Sequence, residues 1–116
     1  MLKAVALLLA SNAPTDKPAT FIALLDCMHN SVASYAAITD RFDDALDGAW
    51  GQCQTLSLGW SLDLAQKTPG KSLEGMSATE IHQANRQFFY RESRGDLAKT
   101  FLEARRRAKA QGARNP

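Results

Sequence analysis

The chain has few cysteines and no long apolar run. Its only cysteines, Cys27 and Cys53, are too few for a disulfide framework and too far apart for a close metal-ligand pair. We therefore expect buried thiols and a reducing, cytoplasmic location. The apolar run that follows Lys3, residues 4–10, is far too short to span a bilayer. It resembles a short export signal, but Pro14 directly after the would-be cleavage site favours a first core helix or an edge element.

Motifs of the common enzyme classes are also missing. The sequence contains no phosphate-binding loop, no dinucleotide fingerprint and no zinc-protease helix motif. Cys27 and His29 are two residues apart, so on a helix they point to different sides, and nothing in the sequence brings His82 towards them. We therefore expect no catalytic site, no metal and no cofactor.

Length and composition are those of one small globular domain. The 116 residues, 45% of them hydrophobic and 22% charged, suffice for a single domain over 1–116 with one modest core. The net charge of +2 is unevenly distributed, because residues 1–85 carry five Lys or Arg against nine Asp or Glu, and residues 86–116 carry nine against three. Such asymmetry is typical of a basic arm for an acidic partner, or of two halves that attract each other.

Residues 19 to 51 have the apolar repeat of an amphipathic helix. After a turn-rich break with two prolines at 12–18, apolar side chains recur every seven residues, with parallel rows at intermediate spacings. We predict one long helix from about residue 19 to the Gly48–Gly51 region. The rows contain Phe21, Met28, Tyr35, Phe42 and Ala49; Leu25, Val32, Leu46 and Cys53; and Leu24, Ile38 and Ala45.

Residues 55–64 fit two structures. Leucines and Trp60 alternate with small or polar residues, as in a half-buried strand. A helix that is apolar on two sides fits as well, and we favour it because the apolar residues are mainly leucine and no convincing partner strand exists. Turn residues at 68–70 then end the element.

The remaining helices have recognisable starts. Ser77 and Glu80 form a capping box, which predicts a helix from about Ala78 to Arg94 that ends or bends at Gly95. Asp96 is placed to cap a last helix, whose inner stripe is Leu97, Phe101, Ala104 and Ala108, and residues 111–116 are expected to be a frayed tail. The predicted fold is thus all-α, a small bundle of three to four helices.

Four aspartates are spaced as one helix stripe. Like charges at this spacing repel, so the stripe needs positive charge opposite it. We expect a solvated face or internal pairing, with Arg41 or the basic C-terminal helix supplying the charge, ahead of a partner contact and well ahead of a metal site. The stripe consists of Asp40, Asp43, Asp44 and Asp47.

The aromatic run 88–90 provides the main candidate binding surface. On a helix its three rings point about 100° apart, so they cannot all face one core. We expect Phe88 to point inward, and Phe89 and Tyr90 to lie near Arg86 on the polar side, unless the helix is simply central in the bundle. The candidate partner-binding residues are Arg86, Phe89 and Tyr90 together with Leu58 and Leu62. The segment 55–64 and the helix that carries the aromatic run 88–90 both have apolar side chains on two sides, and so small a domain has too few other elements to bury them. We therefore also expect a homodimer.

The basic run near the C-terminus provides the alternative. Arg105, Arg106, Arg107 and Lys109 have the composition of a phosphate-binding patch, although Glu103 is placed to pair with Arg106 and Arg107. The sequence therefore predicts a small, non-enzymatic regulatory or adaptor protein that binds another protein, as an inhibitor, anti-activator or chaperone-like module. The alternative is a small nucleic-acid-binding protein. No membrane role is expected.

Overall fold

The computed structural model describes residues 17–67 and 75–114. Within these ranges the chain forms helices α1 (Ala19–Tyr35), α2 (Phe42–Gln52), α3 (Gln54–Lys67) and α4 (Ala78–Arg114), and no strand. The predicted all-α class is confirmed. No helix in this part of the chain is long and apolar enough to cross a membrane. The elements predicted at 4–10 and 68–70 lie outside the described residues.

The predicted long first helix is wrong, because the chain turns between α1 and α2. The turn contains neither glycine nor proline. Its β-branched Ile38 and Thr39 have low helix propensity, and the Thr39 hydroxyl accepts a hydrogen bond from the Arg41 amide at 3.1 Å. Turning here lets the apolar rows of α1 and α2 face each other. The contact is close, since a Cβ on Gly48 of α2 would lie 2.6 Å from the Tyr35 ring.

Residues 55–64 form part of helix α3, so the preferred interpretation of this segment is confirmed. Ser57 and Trp60 are buried against the bundle, and the Ser57 hydroxyl donates to the Gln54 carbonyl at 2.8 Å. Leu58 and Leu62 lie one turn apart on the outer side of the helix and are 45% and 66% exposed. The alternation in the sequence therefore reflects a helix with leucines on both faces.

The two cysteines form a disulfide, which contradicts the expectation of buried thiols. The bond joins Cys27 in α1 to Cys53 at the junction of α2 and α3, across 26 residues of sequence. The turn between α1 and α2 brings them together, which no spacing rule within one straight helix predicts. Because stable disulfides are rare in a reducing cytosol, the cytoplasmic location loses its premise.

Helix α4 is continuous for 37 residues, so of the two outcomes predicted at Gly95, an end or a bend, the end is wrong. A glycine in a helix costs about 1 kcal/mol, which the buried side chains on either side outweigh. Asp96 is exposed in mid-helix and caps nothing, and the predicted tail is helical to Arg114. The start is as predicted, because the Ser77 amide donates to Glu80 Oε1 at 2.8 Å and the Glu80 amide to Ser77 Oγ at 3.1 Å.

The core is centred on Phe89, which the sequence analysis placed on the polar side. Phe89 is fully buried, and Phe21, Trp50 and Trp60 lie around it at ring-centroid distances of 5.5 to 6.0 Å. Phe88, expected inside, is 41% exposed and stacks on Trp60. The error follows from the false end at Gly95. In a continuous helix, the stripe of Leu97 and Phe101 extends back to Ser93 and Phe89 at four-residue steps.

Candidate protein-binding groove

Four side chains of α2 and α4 form a closed cluster on the surface of the bundle. Arg86 Nη2 donates to Asp47 Oδ1 at 3.0 Å and to Tyr90 Oη at 2.9 Å, while Nε donates to the same hydroxyl at 3.1 Å. The guanidinium carbon lies 5.5 Å from the centre of the Trp50 ring and 5.2 Å from that of Tyr90. Such cation–π contacts and charged hydrogen bonds hold the arginine in one orientation.

The Tyr90 hydroxyl stays protonated in this cluster. Burial raises the pKa of the phenol above its usual value, against the opposing effect of hydrogen bonds from Arg86. The hydroxyl therefore accepts from the guanidinium and donates to Asp47 Oδ1, at 3.3 Å. Arg86, Tyr90 and Asp47 are thus hydrogen-bonded to one another, so the shape of the cluster is set before any ligand binds.

A groove of about 430 Å³ lies beside this cluster. The last turn of α2 and the first turns of α3 form one wall, and the first turns of α4 form the other. Trp50, which is 5% exposed, contributes a buried aromatic base, and Leu58 an apolar side. The lining consists of Trp50, Gly51, Gln54, Leu58, Ala78, Thr79, His82, Gln83 and Arg86.

A polar network fixes the α4 wall of the groove to α3. Asn85 Nδ2 donates to Ser61 Oγ at 3.1 Å, and the same hydroxyl lies 3.4 Å from His82 Nδ1. The His82 ring also packs 5.9 Å from Trp50. The His82 ring is therefore engaged in contacts within the fold. The His29 ring is too, because its Nδ1 lies 2.7 Å from the Thr100 hydroxyl. No group of three metal-ligating side chains occurs among the described residues.

Only part of the predicted partner-binding set meets at this groove. Arg86 and Leu58 line it, Tyr90 holds Arg86 in place, and Leu62 lies one turn beyond Leu58. Phe89 is buried beneath and is no contact residue. The sequence analysis missed Trp50, although its three-residue spacing from Asp47 places both on one face of a helix, towards the Arg86–Tyr90 pair.

Three of the four aspartates of the acidic stripe are paired within the chain, as expected for an internally paired face. Asp43 accepts from Arg94 Nη2 at 2.6 Å, Asp47 from Arg86, and Asp44 lies 3.2 Å from Arg41. Both long-range partners belong to α4. Asp40 is not part of the helical stripe, because it precedes α2 in the turn. The pairing offsets the repulsion between the like charges of the stripe.

The residues predicted to bind nucleic acid have different environments in the structure. Arg105 Nη1 donates to the carbonyls of Ala36 and Thr39, at 2.9 and 3.3 Å, and so caps the C-terminal end of α1. Arg106, Arg107 and Lys109 are exposed. The predicted pairing of Glu103 with Arg106 and Arg107 is not formed, since among the described residues no carboxylate lies within 4.0 Å of either guanidinium.

Comparison with known proteins gives no further assignment. No protein-family model, no curated protein and no solved structure matches the chain.

Proposed function

We propose that this protein is a small regulatory or adaptor module that binds an amphipathic helix of another protein in the groove between α2, α3 and α4. The observation that carries the proposal is the half-exposed Leu58 beside an Arg86–Tyr90 pair that is already locked by Asp47 and Trp50. An apolar side chain without cover next to a rigid arginine and aromatic rings is the composition of an interface hot spot.

The rigidity of the cluster favours binding. A partner pays little to order Arg86 or Tyr90, because their hydrogen bonds within the protein already hold them. The groove runs between helices and has an apolar base, which is the geometry that receives the apolar face of a helix. An inhibitor, anti-activator or chaperone-like role follows if the bound helix is thereby hidden from its other partners.

The disulfide bears on where the protein acts. We infer an oxidising compartment, because a bond between Cys27 and Cys53 persists there and not in a cytosol that keeps thiols reduced. Trapping free thiols with an alkylating reagent in cells of the native host tests this. Complete protection of both cysteines supports the inference, and alkylation of both contradicts it.

The homodimer is a separate proposal that uses the outer face of α3. Leu62 lies outside the groove lining and is the more exposed of the two leucines, so a second copy could cover it without filling the groove. Light scattering at roughly tens of micromolar would detect a dimer of micromolar affinity. A dimer that Leu62→Ser dissociates supports the proposal, and a monomeric wild-type protein contradicts it.

The nucleic-acid alternative has less support. Arg105 is engaged with the end of α1, and the exposed cations share their helix with an exposed leucine, Leu102, for which a phosphate backbone offers no contact.

Panning a displayed library of helical peptides against the full chain tests the proposed function. We expect enrichment of peptides with apolar residues one turn apart, and loss of their binding in Leu58→Glu. Ile22→Glu is the matched control, because it places the same charge at a similarly exposed apolar residue, 46% against 45%, that does not line the groove. Failure to enrich any peptide, or equal binding by both variants, would contradict the proposal.

A further inference from the structure

The C-terminal end of α4 extends past the core. The buried stripe of this helix ends at Ala104, and from Arg105 to Gly112 no residue is fully buried. Residues 99–114 contain six Lys or Arg and a single Glu. A projecting helical end with this charge has little tertiary packing to stabilise it, and its cations repel one another at helical spacing.

Most of the other described cations have a carboxylate partner, Lys17 and Arg91 being the exceptions. Arg41, Lys67, Arg86 and Arg94 each form an ion pair with an aspartate of the bundle. Among the described residues, no carboxylate lies within 4.0 Å of the Lys99, Arg106 or Lys109 side-chain nitrogens. Positive charge at this end is therefore available to a molecule outside the chain.

These cations surround an exposed leucine. Lys99, Leu102, Arg106 and Lys109 are spaced at three, four and three residues, which places them on one side of α4. We call these four residues the basic face. Leu102 is 56% exposed and borders a shallow groove of about 540 Å³, which Phe101, Arg106 and Lys109 line together with the carboxylate of Asp40. On the α4 side of this groove an exposed leucine lies among cations, which fits a partner that carries an apolar side chain among carboxylates.

We propose that the basic face binds an acidic segment of another protein, with its carboxylates on Arg106 and Lys109 and an apolar side chain over Leu102. Two other anionic partners fit less well. A phosphate backbone offers nothing to cover Leu102, and a bilayer surface requires a broader apolar face than one leucine provides. The nearest residues of the two surfaces on α4, Arg86 in the groove wall and Lys99 in the basic face, are about 20 Å apart along the helix, so both surfaces can be occupied at once.

Fluorescence anisotropy of the full chain with three labelled probes tests the proposal. The first probe is a glutamate-rich peptide with leucine at every fourth position, the second is polyglutamate of equal length, and the third is a single-stranded oligonucleotide. At about 50 mM salt we expect the leucine-containing peptide to bind more tightly than the other two. At about 200 mM salt its affinity should fall less than that of the oligonucleotide, since apolar contact is not screened.

Three variants distinguish binding at the basic face from non-specific attraction to the positive charge of the helix. Arg106→Glu should weaken binding of the leucine-containing peptide by about tenfold or more, because like charges then oppose each other. Arg107→Glu makes the same change of charge at a residue about 100° around the helix from Arg106, and it should leave affinity within about threefold. Leu102→Gln should weaken this peptide by about threefold to tenfold and leave polyglutamate unchanged.

Several results would overturn the proposal. Tighter binding of the oligonucleotide, lost equally in Arg106→Glu and Arg107→Glu, would identify a nucleic-acid surface. If Leu102→Gln changes the affinity of neither peptide, the proposed apolar contact is wrong. If no probe binds at the lower salt, the basic face is only a solvated side of the helix. Circular dichroism of each variant confirms that α4 remains folded.

Discussion

The two halves of α4, before and after Gly95, contain three and six Lys or Arg and use them differently. In the first half, Arg86 and Arg94 reach across to Asp47 and Asp43 of α2, and Arg86 also stacks on Trp50. In the second half, Arg105 binds backbone carbonyls of α1, and Arg106 and Lys109 project from the bundle without a carboxylate nearby among the described residues. The difference arises because the acidic face of α2 lies opposite only the first half.

This contrast separates residues that hold the fold from residues that are available for binding. An arginine paired across two helices contributes to the packing of both, whereas an arginine on a projecting end contributes little to stability. A run of basic residues in the sequence does not by itself show which residues pair within the fold and which are available for binding. The following changes would break or sharpen the contrast, in order of decreasing effect.

Phe89→Ala should have the largest effect on stability. Phe89 is fully buried among three aromatic rings in the first half of α4, so its loss leaves a cavity and should cost about 3 to 5 kcal/mol. Phe88→Ala is the matched control, and because that ring is 41% exposed it should cost only about 1 to 2 kcal/mol. Urea denaturation measures both. A larger cost for Phe88→Ala would mean that the register of α4 is wrong.

Removing the disulfide should have the next largest effect. The bond closes 26 residues and restricts the unfolded chain, so its reduction should lower the free energy of unfolding by about 3 to 4 kcal/mol. The Cys27→Ser/Cys53→Ser variant should show the same loss and be insensitive to reductant. If reductant changes the wild-type denaturation midpoint no more than that of the variant, the two cysteines are not bonded.

The capping box is a local signal that predicted local structure, whereas Gly95 did not end α4, and long-range contacts account for the remaining errors. Ser77 and Glu80 are three residues apart, and their capping box formed as predicted. The turn after Tyr35 has no glycine or proline, so the seven-residue repeat runs across it unchanged. The sequence pattern therefore does not predict the contacts that this turn creates. These contacts include the disulfide, the closeness of Trp50 to Arg86 and the base of the groove.

Alanine substitution of one arginine in each half tests the contrast directly. Arg86→Ala removes hydrogen bonds to Tyr90 and Asp47 and the contact with Trp50, at a side chain that is 30% exposed, and should cost about 1 to 2 kcal/mol. Arg106→Ala removes the same chemical group from the basic face and should change stability by less than about 0.5 kcal/mol. Equal losses in thermal or urea denaturation would show that the second half of α4 is packed.

The cap at the start of α4 should have a smaller, pH-dependent effect. Ser77→Ala removes the acceptor for the Glu80 amide and should cost about 1 kcal/mol near neutral pH. Hydrogen bonds from the Ser77 amide and hydroxyl lower the pKa of Glu80 in the folded protein. Its contribution is therefore present above the ordinary glutamate pKa and lost as the pH falls through the lowered value. Denaturation from neutral to acidic pH should show wild type and Glu80→Gln converging; a constant difference would contradict this assignment.

Gly95→Ala should have the smallest effect and the opposite sign. Gly95 joins the two halves of α4 in mid-helix, and nothing lies within 4 Å of a Cβ built there. Alanine should therefore stabilise the protein by about 0.5 to 1 kcal/mol, because the unfolded chain loses freedom and the helix loses nothing. Gly48→Ala is the control, since its methyl group would meet the Tyr35 ring at 2.6 Å, and the gain should be absent. If Gly95→Ala destabilises the protein, the helix bends at this glycine. In that case the basic face need not lie along the axis of the first half, and the distance of about 20 Å between the nearest residues of the two surfaces no longer follows.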